Sequence, residues 1–149
     1  MVIGFLYKPF DSEISFKRLF RYWLVFLIIG IALMQLITPL SPKFVEREKE
    51  ITSTEQFCAP IHKMETIAAP ILETLIFFIL PWKWKGKKGA IVGISIWIIL
   101  HMISLSIPIA VYITCMGYFF YRCLEIGRWK EIFIFHFIPN TVAILTCFL

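Results

Sequence analysis

The sequence is short of the features that mark a soluble enzyme or a disulfide-stapled secreted domain. Only 17% of its 149 residues are charged. It has no internal repeat and no low-complexity tract, which excludes solenoid and disordered-linker readings. The four cysteines, Cys58, Cys115, Cys123 and Cys147, form no C-x-x-C pair, and three of them lie inside apolar runs. A disulfide framework is therefore not expected, and these thiols read as small hydrophobes. No A-x-A cleavage site follows the first apolar run, which begins only near position 19 and ends in Thr38-Pro39-Leu40-Ser41. That run reads as a retained helix, not a signal peptide. Negative charge is also scarce, and the formal net charge is +5. The basic residues flank apolar runs. The excess thus reads as a topology signal that touches anionic headgroups, and nucleic-acid binding is not expected.

What is abundant is apolar sequence. Hydrophobic residues make up 59% of the chain, with a mean hydropathy of +0.80. Soluble domains sit nearer one half. The excess falls in long runs, the pattern of membrane spans. The expected fold is all-α, a polytopic bundle of about five transmembrane helices forming a single membrane domain over 1–149. The spans are expected at 19–40, 64–82, 89–107, 108–124 and 129–149. Prolines end the first. The polar segment from Ser41 to Lys63 follows, with Lys43 to Glu50 alternating in charge, and reads as a solvated connector. The turn between the second and third spans, Trp82-Lys83-Trp84-Lys85-Gly86-Lys87-Lys88, suits a membrane interface.

Lys and Arg in the loops set the expected orientation. Lys8, Lys17, Arg18 and Arg21, the four lysines of that turn, and Arg122, Arg128 and Lys130 fall on one side. The other side has Lys43, Arg47, Lys49 and Lys63, interleaved with glutamates. The positive-inside rule then places the N-terminus in the cytoplasm and the C-terminus outside a cell membrane.

Four polar groups lie at bilayer depth. A carboxylate there costs several kcal/mol on insertion scales and needs a reason. Glu73 is about nine residues, or roughly 13 Å, into its span. His101 closes the run Trp97-Ile98-Ile99-Leu100-His101. His136 and Asn140 are four apart and share one face of the fifth helix. A buried carboxyl can act as general base or acid. Interhelical hydrogen bonding is the purely structural reading of such groups. Two histidines, a glutamate and an asparagine on three helices could instead hold a water, a metal such as zinc, or a haem ligated by His101 and His136. In straight helices His101 and His136 would differ in depth by roughly 7 Å. Pro70 and Pro139, beside these groups, can kink their helices.

In order and spacing these residues resemble the CPBP (Abi) family of intramembrane proteases, which includes the CAAX prenyl endopeptidases and bacteriocin-immunity proteins. Its motifs are E-E-x-x-x-R, F-x-x-x-H and H-x-x-x-N on separate helices. The segment Glu73-Thr74-Leu75-Ile76-Phe77-Phe78 resembles the first, Trp97 to His101 the second with Trp for Phe, and His136-Phe137-Ile138-Pro139-Asn140 the third. The resemblance covers about positions 64 to 145. It implies a four-helix protease-like core and an endopeptidase that cleaves a membrane-associated peptide or protein. By the same resemblance Glu73 activates water, His101 helps hold that water, and His136 and Asn140 stabilise the oxyanion. No cofactor is then implied, although Glu73, His101 and His136 could bind zinc. The sequence departs from the pattern at Thr74, where the family has glutamate, and at Phe78, where it has arginine. Those departures motivate the alternative, a CPBP-like scaffold or immunity factor that binds partner membrane subunits without cutting. Membrane lipids are expected partners in either case.

Overall fold

The computed structural model of the chain describes residues 13–40, 60–104 and 107–145, and every regular element among them is helical. Helix α1 is Phe16–Ile37, closed by a 3₁₀ turn at Thr38–Leu40. Helix α2, Pro60–Glu73, continues through a π-helical stretch, Thr74–Ile79, into α3, Leu80–Ser104. Helices α4, Ile107–Glu125, and α5, Trp129–Leu145, follow. The charged run Lys43 to Glu50, the centre of the turn at 105–106 and the last four residues of the fifth expected span lie outside the described residues.

Helix α1 begins ahead of its apolar run because Ser15 caps it, its hydroxyl accepting from the Arg18 N–H at 3.4 Å. Among the described residues, three helices are long and apolar enough to cross a membrane: Phe16–Ile37, Ile67–Ile103 and Ile107–Glu125. The second holds 37 residues. A straight helix of that length would reach about 55 Å, nearly twice the hydrocarbon thickness. It is not straight. At Gly86 the backbone takes φ 56°, ψ −136°, a conformation essentially confined to glycine, and the chain folds back on itself. The two arms then run antiparallel, with Gly89 against Pro81 and Gly93 against Phe77. A Cβ at either glycine would stand 2.0 Å from the opposing carbonyl oxygen. Pro81 has no N–H to give the Phe77 carbonyl, and the bare Cα of Gly93 packs beside that carbonyl instead. Gly89 and Gly93 form a G-x-x-x-G pair, the pattern that lets membrane helices approach backbone to backbone.

Around this hairpin, α1 packs chiefly on α4, and α2 on α5. The interior is aromatic: Phe78, Phe119, Phe120 and Phe135 are fully buried, and Trp23 stacks on Phe135 at 5.5 Å. Outward faces are apolar too, with Ile28, Leu36 and Val142 more than half exposed. A surface of that kind suits lipid, not water. Helix α4 ends in a Schellman motif: Gly127 N–H bonds the Leu124 carbonyl at 3.1 Å and Arg128 N–H the Cys123 carbonyl at 2.8 Å, with Gly127 at φ 75°.

Ion pairs gather three basic segments at one end of the bundle. Lys87, beside the Gly86 turn, meets Glu125 of α4 at 2.8 Å, and Arg122 reaches the same carboxylate at 3.3 Å. Arg128 bonds Glu131 at 2.7 Å and also donates to the Ile14 carbonyl just before α1. The start of α1, the hairpin turn and the α4–α5 turn therefore share one end.

Candidate functional site

Glu73 ends α2 where the helix widens. The Leu80 N–H reaches back to the Leu75 carbonyl, the five-residue step of a π turn. Such widenings occur often at functional sites. Here Glu73 is half-buried and the next residue, Thr74, is fully buried. The hairpin register that pairs Gly93 with Phe77 also brings Trp97 to Glu73. The Trp97 indole Nε1–H donates to Glu73 Oε2 at 2.6 Å.

His101 lies one turn beyond Trp97. Its Nδ1 is 2.8 Å from the Trp97 carbonyl oxygen. A carbonyl has no proton to give, so Nδ1 is the donor and the neutral ring carries its lone pair on Nε2. That Nε2 stands 3.9 Å from Glu73 Oε2, too far for a direct hydrogen bond.

His136, on α5, is 7% exposed. Its Nε2 is 3.4 Å from the same Glu73 oxygen, and its Nδ1 is 3.1 Å from Thr74 Oγ1. With Glu73 ionised, Nε2 presents its N–H to the carboxylate, and in the neutral ring Thr74 donates to Nδ1. The imidazole is held among aromatic rings, edge-on to Trp97 at 5.4 Å and Phe78 at 6.2 Å and tilted against Phe120 at 5.4 Å.

Asn140 spends one amide hydrogen on its own helix, donating to the His136 carbonyl at 2.8 Å. Its second amide hydrogen remains for another acceptor. A cavity of about 290 Å³ is bordered by Glu73, Trp97, His101, His136 and Asn140, with Tyr112 and Met116 of α4 among its apolar walls. The four residues singled out in the sequence thus border one space. Glu73, His101 and His136 converge on one carboxylate oxygen, while Asn140 lines the cavity one turn away. The depth difference expected of straight helices does not keep the two histidines apart, since their Nε2 atoms lie 3.9 Å and 3.4 Å from the same Glu73 oxygen.

The positions that depart from the family pattern are part of the structure around this site. Thr74 holds His136. Phe78 is fully buried, its ring edge-on to Trp97 at 5.0 Å and to Phe120 at 5.3 Å. An arginine there would place its charge among aromatic rings. Two roles did not stand out in the sequence: Trp97 as a donor to Glu73, and Gly89 and Gly93 as the hairpin contact. Both had a signal. An indole N–H at membrane depth needs an acceptor, and the G-x-x-x-G spacing is visible in the chain.

Among the described residues no group of three or more His, Cys, Asp or Glu side chains is arranged to hold a metal ion. The Trp97 N–H already occupies the Glu73 oxygen that faces the two imidazoles. No family model, no curated protein and no solved structure matches this chain.

Proposed function

We propose that the protein is a five-span intramembrane endopeptidase of CPBP type, with a four-helix protease-like core, in which Glu73 activates a water to cleave a membrane-associated peptide or protein. The observation that supports it most is one carboxylate oxygen, Glu73 Oε2, lying 3.4 Å from His136 Nε2 and 3.9 Å from His101 Nε2 at the wall of a cavity that Asn140 also lines. A water between Glu73 and His101 has an acceptor on each side. Glu73 takes one of its protons as the water oxygen bonds to the scissile carbonyl carbon. Once Glu73 is protonated, the His136 Nε2–H that had faced its carboxylate turns to the oxyanion so formed, which the spare Asn140 N–H also stabilises. Collapse breaks the C–N bond, and Glu73 passes the proton to the departing amine. In this reading the basic end of the bundle faces the cytoplasm. The C-terminus then lies outside the cell membrane.

Two observations favour a second reading, a CPBP-like scaffold, immunity factor or subunit of a membrane complex. The Trp97 N–H draws on the lone pairs of the base. Phe78 and Thr74 stand where relatives of that type have an arginine and a second glutamate. Glu73, His101, His136 and Asn140 would then be interhelical glue. A haem on His101 and His136 is disfavoured, because the Glu73 carboxylate already stands against both Nε2 atoms. To separate the first two readings, the full chain is reconstituted in vesicles with prenylated and unprenylated membrane peptides. Cleavage that disappears in both Glu73→Ala and His101→Ala supports the peptidase. No cleavage of any peptide, together with a stoichiometric co-purifying membrane protein, supports the scaffold.

A further inference from the structure

A second cavity, of about 370 Å³, shares no residue with the first and follows the groove between the two arms of the hairpin. Its two ends differ in chemistry. Near the Gly86 turn it is bounded by Trp84, Lys85 and Lys88, and deeper in by Ile76, Val92 and Ile96. From Lys88 to Ile96 is about 12 Å along a helix. All three deep residues are exposed, from 45% to 58%, so the groove opens on the outer face of the bundle. Trp84, at 80% exposure, is the most exposed large hydrophobic side chain among the described residues. A tryptophan so placed marks the headgroup level.

Three of the four lysines of the turn divide into two kinds. Lys87 points to α4 and is committed to Glu125 at 2.8 Å. Lys85 and Lys88 border the groove instead, and no acidic residue lines it. Lys85 Nζ lies 4.9 Å over the Trp84 ring, where the ammonium keeps its donors for an acceptor above the ring. The groove therefore combines an apolar trough with two unneutralised ammonium groups at its mouth, at the depth where lipid phosphates lie.

From this charge complementarity we infer that the groove is a binding site for one phospholipid with an anionic headgroup, its phosphate on Lys85 and Lys88 and the upper part of an acyl chain along Ile76, Val92 and Ile96. A zwitterionic lipid would bring its own quaternary amine against the two lysines and lose that advantage. Each lysine near an anionic lipid surface contributes roughly five-fold in affinity, so the pair contributes on the order of 25-fold.

The test is native mass spectrometry of the full chain, purified in detergent and supplied with either phosphatidylglycerol or phosphatidylcholine. Wild type retains one phosphatidylglycerol at collision energies that strip phosphatidylcholine. Lys85→Gln with Lys88→Gln lowers that retention at least ten-fold. Lys17→Gln with Lys130→Gln, the same change in net charge at exposed positions outside the groove, leaves it intact. Ile96→Trp, which fills the apolar end with both lysines present, also lowers it. Equal retention of the two lipids by wild type overturns the site. So does an equal loss in the two lysine pairs, because the effect is then one of general surface charge.

Discussion

Thr74, Phe78 and Trp97 decide what the site is, more than the four residues that resemble a protease motif. Each sits where a family member would have another residue, and each has a definite job in this structure. Trp97 supplies the donor that a phenylalanine could not, at 2.6 Å from Glu73. Hydrogen bonds to charged groups contribute about 1.5–3 kcal/mol in water-soluble proteins, and membrane cases run lower, up to about 1.7. Trp97→Phe is therefore expected to lower stability by about 1–2 kcal/mol, read by equilibrium unfolding in bicelles. Thr74→Val keeps shape and removes the hydroxyl that fixes His136 Nδ1. Its signature is a change in the nitrogen chemical shift of His136 Nδ1, with the backbone amide spectrum otherwise preserved. An unchanged Nδ1 signal would show that Thr74 does not set the tautomer. Phe78→Arg introduces the arginine of the motif that this segment resembles. The guanidinium would enter a fully buried site between Trp97, Phe120 and His136. A loss of about 3 kcal/mol or more, seen as failure to purify as a monodisperse protein, is the expected outcome.

At the level of helices, the all-helical, apolar character of the described chain and its basic turn were legible in hydropathy and charge. How closely the arms pack was less legible. The sequence places a turn at 82–88, while helical structure continues on both sides and a single residue, Gly86, reverses the chain. Glycines 89 and 93 carried the signal for the contact itself, and the π stretch after Glu73 had none. The hairpin gives a graded prediction. A Cβ at Gly93 meets backbone oxygen at 2.0 Å, so neither arm can yield without the other moving. Gly93→Ala should cost roughly 3 kcal/mol, at the upper end of overpacking effects. Gly127, by contrast, has open space around it and only a left-handed φ of 75° to defend, so Gly127→Ala should cost about 1–2 kcal/mol. Thermal unfolding of the two variants in one detergent checks the order, and an equal shift would remove the close approach as the reason for glycine at 93.

For the whole molecule, the position of the site follows from topology. The hairpin carries Glu73, Trp97 and His101 together, α5 brings His136 and Asn140 alongside, and α4 closes the cavity with Tyr112 and Met116. The sequence showed which polar groups were out of place in a bilayer. Their meeting depended on helix register and tilt, which no single span encodes. Lys87, Arg122 and Arg128 gather at one end of the bundle. With the orientation proposed from the positive-inside rule, a reporter fused to the C-terminus is expected to be active only outside the cytoplasm. The proposed role of Glu73 is to activate a water for peptide hydrolysis. Its most direct test is a quantitative census of new protein termini in membranes containing the wild-type chain or Glu73→Gln at matched abundance. The expected result is a set of cleavage termini present with wild type and absent with Glu73→Gln. Identical termini in the two membranes would contradict it.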